Sequence, residues 1–432
     1  MHKTGTTTIQ RNLYQNRAVL RESSNVQYLP LGSNHSILAT LFLDSPEQVR
    51  SNIFRGLGNR EMCRQHHKVL QDGLINYLNQ NRQSDIIISG EDFSLLKRED
   101  VQKLSNFLQV HFEQIKIVIY TRHPFEFARS YGQQKIKVGS TIDQVLEASF
   151  AIVDSNRHHW FTDESDIRPH FQKRIAPFQF YFGKENVQII DLGNLQKGDL
   201  NAANFLRSVG IGFEGNLSSE GQNYNKSLSN SEVYLINSIN RSHSYKNGDQ
   251  YNNSRAHPIH LLAKMGMSSE KFTFDQLDLS KFAQHIQEDV SWLRSTTNGN
   301  IDYVLSTFDD DEQILPNTKI ETLNLESRGL QLNEELLLKQ NKKIKKRFSV
   351  LFNQKEKMLP MEIFQLVNRC SSVSLLTEVL KHFLTLNMVN EATLVRTKIL
   401  RLNPENNCAL QSGPSNQVTY SFEKWYGPET WT

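Results

Sequence analysis

The sequence has 432 residues, and its 49 basic and 46 acidic side chains give a formal net charge of +3. This length is enough for two domains or for one large domain with an appended segment, and the nearly balanced charge excludes a chain-wide field for binding polyanions. The cysteines Cys63, Cys370 and Cys408 are far apart in the sequence. They predict neither a disulfide framework nor a zinc site and favour a reducing, cytoplasmic location. No apolar stretch reaches about 18 residues, so no membrane span is expected.

The first predicted element is an anion-binding loop that leads into a helix. Residues 2–10 contain one lysine, one glycine and four threonines, and residues 9–22 have helical periodicity. Free N–H groups at a helix N-terminus attract anions, glycine lets backbone N–H groups turn inward, and hydroxyls and an ammonium add donors. The loop is not a Walker A loop, because Lys3 precedes Gly5 and the required glycine–lysine spacing is absent.

Alternating strand and helix patterns follow the loop. The β-branched runs at residues 85–91, 115–120 and 187–191 predict buried strands. Helices are predicted at residues 61–82, 92–112, 125–137, 142–150, 168–182, 202–209, 231–240 and 275–296. This alternation predicts an α/β fold with a parallel sheet, whereas residues 23–60 and the glycine- and asparagine-rich stretch 210–230 give no clear element.

Charged residues follow two of the predicted strands. Glu91 lies at the end of the first and Arg122 at the end of the second. In parallel sheets ligands bind at the carboxyl ends of the strands, so both residues are candidates for a site. Asp92 is an alternative to Glu91, although it also suits the cap of a helix that begins near Phe93.

The pattern changes after residue 308, where an acidic stretch is followed by a proline. We expect one domain at residues 1–308, a linker at 309–328, a helical extension at 329–410 and an irregular tail at 411–432. Residues 392–406 look like the closing half of a tetratricopeptide repeat, a helical unit that normally occurs in several copies. The basic run at residues 342–347 is expected to be a solvated helix face.

Three motifs, in this order, resemble those of sulfotransferases that use 3′-phosphoadenosine-5′-phosphosulfate (PAPS). Residues 3–7, Lys-Thr-Gly-Thr-Thr, resemble the loop that binds the 5′-phosphosulfate. Residues 120–131 resemble the motif for the 3′-phosphate, in which a strand-end arginine and a serine eight residues later bind that group. Residues 89–93 lie where many members have their catalytic base. The resemblance covers about residues 1–308 and is closest to bacterial-type members, which share the Phe-Gly-Lys-Glu-Asn-Val sequence of residues 182–187.

The resemblance implies a three-layer α/β sandwich with a parallel sheet, like that of P-loop NTPases, and a small helical C-terminal extension. It implies transfer of a sulfuryl group from PAPS, without a metal, to a hydroxyl of a carbohydrate or lipid headgroup. Glu91 would act as the base, and Lys3 would neutralise the leaving oxygen. The residues implied in binding the donor are Lys3, Thr4, Gly5, Thr6, Thr7, Thr8, Arg122 and Ser130. Other candidates are Lys226 for a phosphate and His158 and His159 for the acceptor groove.

Members of this family have an apolar strand directly before the loop, whereas Met1 is two residues before Lys3. We therefore expect the neighbouring strands to lack that partner unless another segment takes its place. Two other functions remain open. In the first, the chain is an inactive relative whose C-terminal helices bind a protein or self-associate. In the second, it is a nucleotide kinase, which the missing Walker spacing disfavours. No nucleic acid partner is expected.

Overall fold

The computed structural model describes residues 6–150, 166–194, 201–212, 228–247, 250–252, 272, 279–305, 319–354, 366–367, 370, 372–385, 392, 395 and 398–399. Several sequence predictions fall outside these residues. They concern Lys3, Thr4 and Gly5 of the loop, His158, His159 and Lys226, residues 309–318 of the linker, and the tail at 411–432.

Helices make up most of the described chain, with short strands between them. The helices are α1 (Thr6–Gln15), α2 (Arg17–Ser24), α3 (Ser36–Ala39), α4 (Arg50–Phe54), α5 (Arg60–Gln80), α6 (Arg98–His111), α7 (Pro124–Lys137), α8 (Ile142–Phe150), α9 (Phe171–Phe182), α10 (Ala202–Ser208), α11 (Asn230–Ser242), α12 (Leu279–Thr296), α13 (Lys319–Gln354) and α14 (Val373–Thr385). The strands are β1 (Val26–Tyr28), β2 (Asp85–Ile87), β3 (Ile117–Thr121), β4 (Val187–Asp191), β5 (Lys246–Asn247) and β6 (Gln250–Tyr251). Within these ranges, no helix has the length and apolar character needed to cross a membrane.

The strands form pairs. β1 lies parallel to β2 with Val26 opposite Asp85, and β3 lies parallel to β4 with Ile117 opposite Val187. β5 and β6 form a short antiparallel pair. The prediction of an α/β chain with parallel strands is confirmed at this level. No ladder joins β2 to β3 among the described residues, so a single continuous sheet is not observed.

An apolar cluster connects α1 to both parallel pairs. Ile9 and Leu13, one helical turn apart on the same face of α1, are buried in a cluster that also contains Ile87 of β2 and Tyr120 of β3. Because burial of apolar surface is the main favourable term in packing, α1 holds the two strand pairs against one helix. The first turn of α1 is thereby placed beside the strands on which the sequence places Glu91 and Arg122.

Further apolar layers cover the other faces of the strands. Ile86 of β2 packs in a cluster with Leu70, Leu74 and Leu78 of α5, on the opposite side from Ile87. This alternation is what a strand with two covered faces requires. The largest core contains residues of α7, α9, α11 and α12.

The prediction of one helix over residues 92–112 is wrong in its first part. A 3₁₀ turn occupies Glu91–Leu95, and α6 begins only at Arg98. The Lys97 N–H donates to a carboxylate oxygen of Asp100 at 3.2 Å, so Asp100 satisfies one backbone donor at the start of α6. Asp92 therefore does not cap α6, and it lies in the same 3₁₀ turn as Glu91.

The C-terminal helices pack against the N-terminal part of the chain. Ile344 and Phe348 of α13 share an apolar cluster with Leu57 and Cys63, which lie just before and within α5. α13 also packs against α11. α14 lies within the helical extension predicted at residues 329–410 and joins the same cluster.

Candidate functional site

The three described threonines of the predicted loop begin α1. Thr6 and Thr7 are half-buried and Thr8 is exposed, while Ile9 immediately after them is buried. The first backbone N–H groups of a helix have no partner within the helix, and the helix dipole is positive there. Hydroxyl groups at this position add donors for an anion.

A buried glutamine connects α1 to the end of β2. Gln10 is only 3 % exposed, and its Nε2 donates to Ser89 Oγ at 3.2 Å. Gln10 lies one turn after Thr6, and Ser89 is two residues before Glu91. The structure thus places the threonine turn and the segment that carries Glu91 on two elements in direct contact.

The segment from Ser89 to Asp92 is fixed against the loop that precedes α3. The Ser89 N–H donates to His35 Nδ1 at 3.0 Å, and the Asp92 N–H donates to Ser36 Oγ at 3.2 Å. A Cβ atom at Gly90 would lie 2.8 Å from the backbone nitrogen of Ser36, so only glycine fits this close approach. Glu91, which is half-buried, is therefore held on a segment with little freedom to move.

His35 makes these contacts as a neutral side chain. Its Nε2 lies 3.1 Å from the carbonyl oxygens of Leu29 and Gly32, which are acceptors, so Nε2 carries the proton and donates to both. Its Nδ1 is then the acceptor for the Ser89 N–H. Burial lowers the pKa of His35 to about 4, although the two carbonyl bonds oppose that shift. Sequence reasoning missed this histidine because residues 23–60 have no clear periodicity.

Arg122 follows β3 directly, as predicted. The orientation of its guanidinium is set by Glu126 on α7. Its Nε donates to Glu126 Oε2 at 2.7 Å, one turn along the chain. Ion pairing with Arg122 lowers the pKa of Glu126 against the opposing effect of burial. Ser130 lies two turns into α7 and is half-buried. A guanidinium held through Nε keeps its plane fixed, which is the geometry needed for bidentate contact with a phosphate.

A buried hydroxyl network lies at the carboxyl ends of β3 and β4, next to Arg122. The Tyr303 hydroxyl donates to Asp191 Oδ1 at 2.7 Å and lies 3.0 Å from Thr121 Oγ1. Burial raises the pKa of Tyr303 well above its ordinary value, and the bond to Asp191 adds to that shift. His123 Nε2 donates to the carbonyl of Val304 at 3.2 Å, so residues 303–304 are held from both sides. Asp191 and Tyr303 were missed because they are 112 residues apart, and no local pattern relates them.

A second buried network supports Tyr303 from α9. Asp289 accepts hydrogen bonds from the backbone N–H groups of Phe171 and Gln172 at 2.6 and 2.7 Å, which satisfies two backbone donors in the first turn of α9. The Phe171 ring stacks against Tyr303 with centroids 5.9 Å apart. This arrangement fixes the aromatic face behind the ends of β3 and β4.

Two groupings emerge from this geometry. One contains the threonine turn of α1, Gln10 and the segment with Glu91, and the other contains Arg122, Glu126 and the Tyr303 network. Both lie at carboxyl ends of parallel strands, where ligands bind in α/β proteins. In the part of the chain that the structure describes, no group of three or more metal-ligating side chains occurs.

Comparison with known proteins gives no assignment. No family model, no curated protein and no solved structure matches this chain. The resemblance to PAPS-dependent sulfotransferases therefore stays a prediction from the motifs.

Proposed function

We propose that this chain is a PAPS-dependent sulfotransferase built on a three-layer α/β domain of the P-loop type. The observation that supports it most is the hydrogen bond from Gln10 to Ser89, since it joins the threonine turn of α1 to the segment that carries Glu91. A donor group bound at the N-terminus of α1 would then lie beside a carboxylate. This is the arrangement that a reaction between a bound phosphosulfate and an acceptor hydroxyl requires.

The two ends of the nucleotide would contact different elements. The first-turn N–H groups of α1 and the hydroxyls of Thr6, Thr7 and Thr8 would bind the 5′-phosphosulfate, together with Lys3, Thr4 and Gly5. Arg122 and Ser130 would bind the 3′-phosphate, which common nucleotides lack. α1 shares an apolar cluster with β2 and β3, and in this proposal a single nucleotide spans both groupings.

The reaction proposed is an in-line displacement at sulfur. The acceptor oxygen forms a bond to sulfur while the bond from sulfur to the bridging oxygen breaks, and the electron pair stays on the phosphate of adenosine 3′,5′-bisphosphate. Glu91 accepts the proton of the acceptor hydroxyl. Lys3 neutralises the charge that develops on the bridging oxygen. A sulfuryl group carries less charge than a phosphoryl group, so these donors suffice in the proposal without a metal.

The acceptor proposed is a hydroxyl of a carbohydrate or lipid headgroup, in line with the resemblance to bacterial-type members. A reducing, cytoplasmic location fits the thiols Cys63 and Cys370, which are both buried and free. Protein partners of the C-terminal helices belong to the competing proposal of an inactive relative. The binding experiment below distinguishes the sulfotransferase from that alternative and from the nucleotide kinase.

Equilibrium binding by calorimetry tests the proposal with three ligands: adenosine 3′,5′-bisphosphate, adenosine 5′-monophosphate, and ATP with magnesium. We expect the bisphosphate to bind at least about tenfold more tightly than the monophosphate, because the partly buried guanidinium of Arg122 would form charge-assisted hydrogen bonds to the additional phosphate. Preference for ATP would support the kinase instead. Failure of all three ligands to bind would support the inactive, partner-binding alternative.

A further inference from the structure

The C-terminal half of α13 carries one sign of charge. Between Leu336 and Gln354 the sequence contains five lysines and one arginine but no aspartate or glutamate. All six cations are exposed. This segment is therefore a local exception in a chain whose overall charge is nearly balanced.

Four of these cations form a line on the surface of the helix, which we name the cationic stripe. Its members, Lys339, Lys342, Lys343 and Lys346, are spaced i, i+3, i+4 and i+7 and so share one helix face over about 10 Å. The opposite side is fixed in the protein, since Asn333, Ile344 and Phe348 are all buried. The cationic stripe consequently points to solvent from a rigid support.

The cationic stripe is costly to the helix by itself. Like charges at i, i+3 and i, i+4 repel, and each such pair destabilises an isolated helix by a few tenths of a kcal/mol. None of the four lysines makes an ion pair with a described residue, whereas the neighbouring Lys345 lies 3.1 Å from Glu378 of α14. Residues that destabilise a fold locally, with no compensating contact in the structure, are typical of surfaces that bind a partner.

We propose that the cationic stripe docks the protein on a membrane surface rich in anionic lipid. Clusters of four to eight basic residues on an amphipathic helix bind such surfaces, because the lipid headgroups are negative and lie in a plane. Leu338, 64 % exposed and next to the stripe, supplies an apolar side chain for the headgroup region. Phe348, the first aromatic residue after the stripe on α13, is buried, so its ring is not available to stack on the bases of single-stranded nucleic acid.

This docking does not depend on the proposed sulfotransferase activity. It requires only the exposed charges of α13 and the buried contacts behind them. Nucleotide binding and vesicle binding are therefore separate measurements, and either can fail while the other succeeds.

The test is sedimentation of the full chain with vesicles of phosphatidylcholine alone or with about one third phosphatidylserine. We expect binding only to the anionic vesicles, and we expect added salt to weaken it by screening. The variant Lys342→Gln/Lys343→Gln/Lys346→Gln should lose about 100-fold in partition coefficient, since each cation near such a surface strengthens binding about fivefold. Leu338→Gln should lose only a few-fold.

The matched control removes three exposed cations elsewhere, as Arg60→Gln/Lys68→Gln/Lys184→Gln. It has the same net charge as the stripe variant and should bind anionic vesicles almost as well as the wild type. Equal loss in both triple variants, or no preference for anionic vesicles, would overturn the proposal. Tighter binding to dextran sulfate or to duplex DNA than to the vesicles would also overturn it and would assign the stripe to a linear polyanion.

Discussion

His35 and Ser89 are joined by two hydrogen bonds that run in opposite directions. The His35 N–H donates to the Ser89 carbonyl at 2.8 Å, and the Ser89 N–H donates to His35 Nδ1 at 3.0 Å. The second bond exists only while Nδ1 is unprotonated. The position of Glu91, two residues further on, therefore depends on the protonation state of a histidine from a different part of the chain.

The first prediction concerns acid stability. In the unfolded chain His35 titrates near its ordinary pKa of 6.5, whereas burial lowers the pKa in the folded protein to about 4. The unfolded state thus binds more protons in this window, and the folded state loses stability as the pH falls from about 6.5 to about 4. Thermal unfolding measured across this range should show that loss.

The control for this prediction is His35→Asn, which keeps an acceptor near the position of Nδ1 but does not titrate. At neutral pH we expect it to be about 1–3 kcal/mol less stable than the wild type, because the bonds to Leu29 and Gly32 are lost. The difference should shrink as the pH falls toward 4. A constant difference across the range would show that His35 is not responsible.

The second prediction concerns Gly90. Gly90→Ala should destabilise the fold by about 1–3 kcal/mol, because the new Cβ would lie 2.8 and 2.9 Å from backbone atoms of Ser36 that cannot retreat. Urea unfolding measures the effect. Gly212→Ala is the control, since nothing lies within 4 Å of its added Cβ and no cost is expected there. Comparable losses at both positions would contradict the close approach at Gly90.

The third prediction concerns the base. Glu91→Gln should lower turnover about 10²–10⁴-fold and leave nucleotide affinity nearly unchanged, because a base that acts in the transition state contributes little to ground-state binding. Asp92→Asn should have little effect, since the bond to Ser36 uses the backbone N–H of Asp92. Loss of turnover in Asp92→Asn alone would assign the base to Asp92. If neither substitution lowers turnover, another group activates the acceptor.

The fourth prediction concerns Arg122. Arg122→Ala should weaken binding of adenosine 3′,5′-bisphosphate by about 2–4 kcal/mol and leave binding of adenosine 5′-monophosphate nearly unchanged. Arg122→Lys should restore only part of the loss, because lysine lacks the fork. Calorimetry with both ligands provides the comparison. Equal losses for the two ligands would show that Arg122 has a structural role through Glu126.

The fifth prediction concerns Tyr303. Tyr303→Phe keeps the ring against Phe171 but removes the hydroxyl that bonds Asp191 and Thr121. We expect a loss of about 1–2 kcal/mol in the free energy of unfolding, measured with urea. Asp191→Asn in the Tyr303→Phe background should add little, because the shared bond is already absent. A full additive loss would show that the two residues act independently.

The sequence predicted the elements that have strong local patterns. β3 and β4 were expected from their β-branched runs, and α8 was predicted with the residues that it has, Ile142–Phe150. β1 was not predicted, because three residues bounded by irregular chain give no usable period. The start of α6 was placed too early, because Asp92 suits the cap of a helix beginning near Phe93, whereas the folded chain forms a 3₁₀ turn at Glu91–Leu95 and begins α6 at Arg98.

Prediction of the site had a similar limit. The residues at strand ends, Glu91 and Arg122, were predicted from the strand patterns; the structure has Arg122 directly after β3 and Glu91 in the 3₁₀ turn that follows β2, and their roles stay predictions. Their supports were not found. His35, Gln10 and Tyr303 act through contacts with residues far away in the sequence, and a single chain gives no sign of such contacts before it is folded.

The packing of α1 across two separate strand pairs has a consequence for dynamics. β1–β2 and β3–β4 share no backbone ladder in the described chain, so each pair can open as its own unit when α1 detaches. A ligand that binds the first turn of α1 would raise the free energy of that detachment. Amide hydrogen exchange should then slow in both strand pairs together, including positions in β4 that lie far from any phosphate.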